Sequence, residues 1–321
     1  MRFIKFDKKN YRIRFHSRCK NYKIEWYFGN ICNSHCSYCF DKDSRKTCYR
    51  NMTKEETDKV VKFINDLPPL YELLCLGGEP SCFKYLEYGL DKIKHGCAIT
   101  ILTNGKDEEF VKRMLKRGTK KQPMHVDLTA HSEEFLKDKK NNLEHLGRLI
   151  NYKNNNPYSR LAFRIMLDGE KTMEYKELVE FLYNNIVRNH SGLELHVSFI
   201  YREGTPKEFI NNIIATTKFD KEIGEFLKSE LMAQRSSSLK KNCHYGKKCP
   251  VLEHFAYIRL DGRLDARPSC TENDNELTHK SIFDDDFDLE EEKENIKWIC
   301  HREHEQNWGL CEHVYGQLRE G

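Results

Sequence analysis

Short apolar segments and helix-like segments alternate along the first two thirds of the chain. The helix after the first strand begins at Thr53, where Glu56 completes a capping box, and it stops before Pro68. Strands that alternate with helices pair in parallel through crossover helices. Six such units are too few to close an eight-stranded barrel, so the chain predicts an α/β fold, an open (β/α)6 partial TIM barrel. The predicted strands are residues 23–29, 71–76, 98–103, 125–129, 160–167 and 194–201.

Length and charge exclude several classes of protein. The 321 residues suit one large domain with a smaller one beside it. A net charge of +4 with 32% charged residues indicates a mixed surface, so nucleic acid is not an expected partner. No apolar stretch is long enough to cross a membrane, and the start of the chain lacks the apolar core of a signal peptide. We therefore expect a cytoplasmic protein.

The cysteines fall into two groups. Of the 13 cysteines, eight lie between Cys19 and Cys97 and five lie between Cys243 and Cys311. In a chain of this size without a secretion signal, such usage indicates metal or redox chemistry rather than disulfides. The long interval between the groups predicts two cysteine-using sites separated by a scaffold.

The first group contains the motif C-x3-C-x2-C, formed by Cys32, Cys36 and Cys39 shortly after the first predicted strand. Three thiolates on one short loop can hold three corners of a cubane iron–sulfur cluster and leave the fourth iron open to a small molecule. A zinc loop and simple buried thiols are the alternatives. Zinc sites favour four ligands in two pairs, and the nearest extra candidates here are His35 and Cys48.

A second motif, Gly77-Gly78-Glu79-Pro80, ends the second predicted strand. Glycines allow a backbone to come close to a ligand, and a carboxylate can accept hydrogen bonds from an ammonium group. The motif by itself also fits an ordinary tight turn between strand and helix. Its place at the carboxyl end of a parallel strand, one unit after the triple-cysteine motif, favours a ligand site.

Together the two motifs resemble the radical SAM superfamily, in which the residue before the last cysteine is typically aromatic, here Tyr38. The resemblance implies a [4Fe–4S] cluster on the three cysteines, whose open iron binds S-adenosylmethionine. Reductive cleavage would give a 5′-deoxyadenosyl radical that abstracts hydrogen from a substrate. It also implies an electron donor such as flavodoxin or ferredoxin. No residue is assigned as a catalytic acid or base.

The resemblance extends to further cofactor-binding positions at the ends of the later strands. The motif at residues 77–80 would bind the amino group of S-adenosylmethionine. Arg164 lies in an apolar strand, so it should meet either the cofactor carboxylate or a carboxylate of the fold. The other candidates, each of which also fits an ordinary turn or helix cap, are Thr103, Asn104, His131 and Ser132.

The second group of cysteines resembles the twitch and SPASM extensions of this superfamily, which hold auxiliary clusters. A hairpin with an Asp261-Gly262 turn of the two-residue type lies among them. The resemblance implies a small C-terminal cysteine-rich twitch/SPASM-like domain with one auxiliary iron–sulfur cluster. Its ligands would be Cys249, Cys270, Cys300 and Cys311, with Cys243 as the substitute for Cys249. The alternative is a structural zinc site that uses His301, His304 or His313.

These expectations divide the chain into an N-terminal extension (1–22), a radical SAM partial barrel (23–235) and a C-terminal auxiliary domain (236–321). The expected activity is peptide (RiPP) modification or maturation. A dehydrogenase or rearrangement enzyme with a small-molecule substrate is the alternative, because the first 22 residues leave no room for a separate leader-binding domain. A non-catalytic zinc- or cluster-binding interaction protein is the alternative of a different class, and it would not need the motif at residues 77–80.

Overall fold

A computed structural model describes residues 22–39, 41–42, 44–152, 155–168, 173–189, 191–200, 219–239, 251–265 and 277–296. In these ranges the strands form an eight-stranded sheet in the order β6-β5-β4-β3-β2-β1-β7-β8. The strands are β1 (Tyr22–Tyr27), β2 (Leu70–Leu76), β3 (Ala98–Thr103), β4 (Met124–His131), β5 (Ser159–Asp168), β6 (Glu194–Ile200), β7 (Phe255–Ile258) and β8 (Leu264–Asp265).

Helices connect the first six strands, and each of these strands pairs in parallel with the next. The predicted alternation and the α/β partial-barrel fold are confirmed. The helices are α1 (Ser44–Thr47), α2 (Lys54–Asp66), α3 (Leu86–Lys92), α4 (Glu108–Arg117), α5 (Ser132–Lys137), α6 (Lys139–Ile150), α7 (Lys176–Leu182), α8 (Lys221–Leu239), α9 (Val251–His254) and α10 (Leu289–Asn295). A 3₁₀ turn (Pro80–Cys82) precedes α3, and a π-helical segment (Tyr183–Arg188) follows α7.

The helix α2 begins as its sequence predicts. The Thr53 side chain accepts a hydrogen bond from the Glu56 N–H, and the Glu56 carboxylate accepts one from the Thr53 N–H at 2.7 Å. The same carboxylate forms an ion pair with Arg50 at 2.8 Å, which ties the helix start to the segment just before it. This segment also pairs with the chain that leaves β1, since the Asn30 N–H donates to the Arg50 carbonyl at 3.1 Å.

The hairpin β7–β8 is present, and it extends the main sheet because β7 pairs in parallel with β1. Its turn differs from the two-residue prediction. The Gly262 N–H donates to the Arg259 carbonyl, and the Arg259 N–H donates to the Arg263 carbonyl, each at 3.0 Å. A three-residue loop of this kind needs a left-handed third residue, and Gly262 supplies it with φ of +78°. The proposed domain limit at residues 235/236 falls within α8, and the three-part division of the chain stays a prediction.

The two faces of the sheet differ in polarity. Apolar side chains of β1 and β4, such as Trp26 and Val126, are buried in the core beneath the helices. The alternate residues point to the inner face of the partial barrel, where His125 and Asp127 lie on β4. The parallel register places residues of neighbouring strands on the same face, so Thr129 lies beside Arg164. A polar inner face therefore runs below the carboxyl edge of the sheet.

Candidate functional site

The segment with the three cysteines (residues 32–39, the cysteine loop) begins beside the end of β2 because two backbone segments pair there. The Gly78 N–H donates to the Gly29 carbonyl, and the Glu79 N–H donates to the Ile31 carbonyl, each at 2.8 Å. A Cβ atom on Gly78 would lie 2.1 Å from the Ile31 oxygen, and one on Gly77 would lie 2.4 Å from the Gly29 oxygen. The glycines thus permit close approach, and the group they approach is the backbone at the start of the cysteine loop.

The Glu79 carboxylate is buried and joins the ends of β2 and β3. It accepts hydrogen bonds from Thr103 Oγ1 at 2.6 Å and from the Asn104 N–H at 2.8 Å. It also accepts bonds from the N–H and the hydroxyl of Ser81. Burial raises the pKa of Glu79, while the four donors favour its charged form. The predicted residues Glu79, Thr103 and Asn104 therefore form one hydrogen-bonded unit.

The side chain of Asn104 connects this hydrogen-bonded unit to the cysteine loop. Its amide nitrogen lies 2.7 Å from Asn33 Oδ1, 3.1 Å from Ser34 Oγ and 3.9 Å from the Cys32 sulfur. Lys106 adds a bond from its ammonium group to the Asn33 carbonyl at 3.0 Å. The end of β3 thus holds the first residues of the loop.

The end of β4 contacts the last part of the cysteine loop. The Tyr38 hydroxyl lies 2.8 Å from His131 Nδ1, and the Ser37 N–H donates to the Glu133 carboxylate at 2.7 Å. Burial lowers the pKa of His131 to about 4, so its ring is neutral at physiological pH. The predicted residue Ser132 is fully buried, and its hydroxyl donates to the Met166 carbonyl of β5. Tyr38 and His131 therefore meet, while Ser132 links two strands.

The three thiols offer the donor chemistry that an iron–sulfur cluster uses. Cys36 is buried, and Cys32 and Cys39 are partly exposed. The Ser34 N–H lies 3.3 Å from the Cys32 sulfur, and hydrogen bonds of this kind tune clusters bound to cysteine. Burial raises the pKa of Cys36 to about 11, so iron must displace its proton. In the described ranges no group of three or more His, Cys, Asp and Glu side chains has the spacing to hold a single metal ion, whereas a cubane cluster binds each thiolate at a different iron atom.

Arg164 pairs with a carboxylate of the protein itself, which is the second of the two partners expected from the sequence. Its guanidinium forms an ion pair with Asp127 at 2.8 Å and donates to Ser198 Oγ at 3.2 Å. The register places Arg164 beside Thr129, two residues before the level of His131. It therefore lies deeper on the inner face than the groups that hold the cysteine loop.

At the level of Arg164 and below it, the inner face carries a charged cluster that sequence reasoning did not assign. The carboxylate of Glu194 lies 2.8 Å from Arg160 and 3.4 Å from His196 Nε2. The other ring nitrogen of His196 lies 3.6 Å from the Glu230 carboxylate of α8, and this carboxylate also accepts the Val197 N–H. Hydrogen bonds to Glu194 and Glu230 raise the pKa of His196 to about 9, although Arg164 opposes them. A charged His196 thus helps to attach α8 to β6.

We expect the stabilisation from His196 to disappear at high pH. A histidine with a folded-state pKa near 9 and an ordinary pKa of 6.5 contributes fully below pH 6.5, and the contribution is lost as the pH rises through 9. Because 36% of the side chain is exposed, screening limits the effect to about 1 kcal/mol. His196→Gln should lower the unfolding free energy by this amount near neutral pH and by almost nothing at high pH, as measured by urea denaturation. An equal loss at both pH values would contradict the charged-histidine interpretation.

The cysteines of the second group, Cys243, Cys249, Cys270, Cys300 and Cys311, lie outside the described residues. The same holds for residues 1–21 of the predicted N-terminal extension. The auxiliary cluster and its ligands therefore stay predictions. No helix in the described part of the chain has both the length and the apolar character needed to cross a membrane.

Comparisons with known proteins agree with this geometry. Residues 26–182 match the family model of the Radical SAM superfamily. No curated protein matches the chain significantly. Among solved structures, a histidine-tagged anSMEcpe with bound AdoMet is 15% identical, with a TM-score of 0.52 over 93% of this chain and 96% of that one. Streptococcus suis SuiB bound to S-adenosylmethionine is 14% identical, with a TM-score of 0.51 over 84% of this chain and 65% of that one. At these identities the likeness establishes the fold.

Proposed function

We propose, from the premise that residues 26–182 form a radical SAM domain, that this chain is a radical SAM enzyme that modifies or matures a peptide. The cluster would be held by Cys32, Cys36 and Cys39. When bound, a [4Fe–4S] cluster with an open iron supplies one-electron cleavage of S-adenosylmethionine. A flavodoxin- or ferredoxin-type donor in the cytoplasm would provide the electron.

One observation carries this proposal: the ends of three successive parallel strands hold the cysteine loop. Backbone pairing with Gly78 and Glu79 fixes the segment just before it, Asn104 contacts its first residues, and His131 contacts Tyr38 near its end. Ligands of open parallel sheets bind at this carboxyl edge. The arrangement thus supports a cofactor pocket between the cysteine loop and the strand ends.

Different residues of the chain would bind or support different parts of S-adenosylmethionine. The segment at residues 77–80 would take the amino group, since Glu79 Oε2 accepts the Asn104 N–H and an ionised carboxylate oxygen has a further lone pair. Thr103 and Asn104 would keep that segment in place against the loop. His131 would present a neutral ring toward the ribose, and Ser132 would fix the backbone beneath it. Arg164 would face the substrate side of the chamber, with its charge balanced by Asp127.

A peptide is the proposed substrate class. One structural relative is described as native anSMEcpe with bound AdoMet and Cp18Cys peptide, at a TM-score of 0.52 and 15% identity. The inner face of this chain offers hydrogen-bonding side chains to a polar main chain, among them Asp127, Arg164 and Ser198. An auxiliary cluster on Cys249, Cys270, Cys300 and Cys311, or on Cys243 in place of Cys249, would complete the proposed enzyme.

Deuterium transfer into 5′-deoxyadenosine tests the substrate class. The reconstituted enzyme would turn over anaerobically with a perdeuterated peptide digest, and separately with a perdeuterated small-molecule extract from the same source cells. We expect 5′-deoxyadenosine to gain deuterium from the peptide digest and not from the small-molecule extract. Deuterium from the extract alone would favour the dehydrogenase or rearrangement alternative. An iron-loaded enzyme that forms no more 5′-deoxyadenosine than Cys36→Ala would overturn the radical SAM proposal.

A further inference from the structure

A cationic side chain, Arg45 of α1, contacts the cysteine loop. Its Nη2 atom lies 3.5 Å from the Cys39 sulfur, and its Nη1 atom donates to the Ser34 carbonyl at 3.3 Å. Its Nε atom is buried and has no hydrogen-bond partner among the described residues. The guanidinium thus bridges the sulfur of one proposed cluster ligand and the backbone near another.

Burial and nearby charges shift the pKa of Arg45 in opposite directions. Burial lowers the pKa of Arg45, but interactions with Asp41 and with the thiolate forms of Cys39 and Cys32 outweigh it, so the net shift is upward. The side chain therefore remains charged at any pH at which the enzyme is folded. Asp41 is itself buried and lies close enough to act on both Arg45 and Cys39. Its negative charge opposes the effect of the arginine on the sulfur atoms.

A cation close to a cluster favours the more negative redox state. Reduction adds one electron, and no bond to the cysteines forms or breaks in that step. Hydrogen bonds to the sulfurs and the charge around a cluster set its reduction potential. Because Arg45 is partly buried, its field at Cys39 is screened less than that of a surface lysine.

We propose that the positive charge of Arg45 raises the reduction potential of the cluster bound at Cys32, Cys36 and Cys39. This inference rests on the proposed function, because it needs a cluster at that loop. The arginine makes the cluster easier to reduce by a flavodoxin- or ferredoxin-type donor, while Asp41 limits the rise.

A redox titration followed by electron paramagnetic resonance tests the inference. The cluster is identified as the one whose signal changes when S-adenosylmethionine is added. We expect Arg45→Gln to shift the reduction equilibrium at least tenfold toward the oxidised cluster, which is about 59 mV for one electron. Arg45→Lys keeps the charge but loses the planar fork, so it should shift the equilibrium less. Asp41→Asn should shift it in the opposite direction, and Lys46→Gln, an exposed charge on the same helix, should leave it unchanged.

The possible outcomes separate this inference from the proposed function. A wild-type protein that binds no cluster at the loop would refute the proposed function. A loaded Arg45→Gln protein with the wild-type potential would overturn the role of Arg45, even if S-adenosylmethionine bound more weakly. If Arg45→Gln fails to load, Arg45→Met, a second variant without the charge, decides the matter, since a wild-type potential there also counts against the inference. Failure of both variants to load would make Arg45 a folding residue and overturn the tuning role.

Discussion

Replacing Cys32, Cys36 and Cys39 together by alanine is expected to lower the iron content of the anaerobically reconstituted protein from about eight atoms per chain to about four. The three thiols lie on one loop whose first and last parts are bound to strand ends, so they are expected to hold a single cluster. The remaining iron would belong to the auxiliary cluster. Iron, sulfide and zinc assays on both proteins provide the measurement.

Other iron counts would change specific parts of the proposal. A fall from about four atoms to none, with zinc retained, would keep the radical chemistry and make the C-terminal region a structural zinc site. No iron in either protein would overturn the enzyme and favour a zinc-binding interaction protein. Cys48→Ala is the matched control, because Cys48 is an exposed thiol outside the motif and its loss should leave the iron content unchanged.

Gly78→Ala is expected to remove most of the iron from the cysteine loop and to lower the unfolding free energy by about 3 kcal/mol. The new methyl group would lie 2.1 Å from the Ile31 carbonyl oxygen and 2.6 Å from the Asn30 carbonyl carbon. Both are backbone atoms, so a side-chain rotation cannot relieve the collision. The strand end and the loop must move apart, which breaks the hydrogen bonds at Gly29 and Ile31. Iron assay and urea denaturation measure the two effects.

Gly224→Ala provides the matched control for this substitution. Gly224 lies in α8, and among the described residues no atom outside its own helix backbone and its two chain neighbours lies within 4 Å of the position of an added Cβ. Alanine is a better helix former than glycine, so this change should stabilise the protein by up to about 1 kcal/mol and leave the iron content unaltered. Normal iron loading and normal stability in Gly78→Ala would show that the close approach is not needed to hold the loop.

Much of the fold follows from local sequence. The six strands lie within a few residues of their predicted positions, and the capping box of Thr53 and Glu56 starts α2 as expected. These features depend on neighbours a few residues apart, whose periodicity and hydrogen bonding are visible in the chain. The turn at Gly262 was predicted less well, because the loop length depends on the pairing of β8 with β7.

The candidate site was predicted only in part. The cysteine spacing and the motif at residues 77–80 identified the loop and the strand end, and the structure brings them together through Gly78. Nothing in the sequence distinguishes Arg45 from the other 53 lysines and arginines. The partners of Arg164 and His196 could not be predicted from the sequence either, because Asp127 and Glu230 are far from them in the chain.

The sequence by itself determined the alternation of strands and helices, the start of α2 after Thr53 and the cysteines that are candidates for holding a cluster. Each of these depends on residue type and short-range spacing. Only the tertiary structure decided that Glu79 joins two strand ends, that Asn104 and His131 contact the cysteine loop, and that the hairpin β7–β8 extends the sheet beside β1. The physical reason is that these contacts depend on strand register and crossover packing, which bring together residues that no local pattern connects.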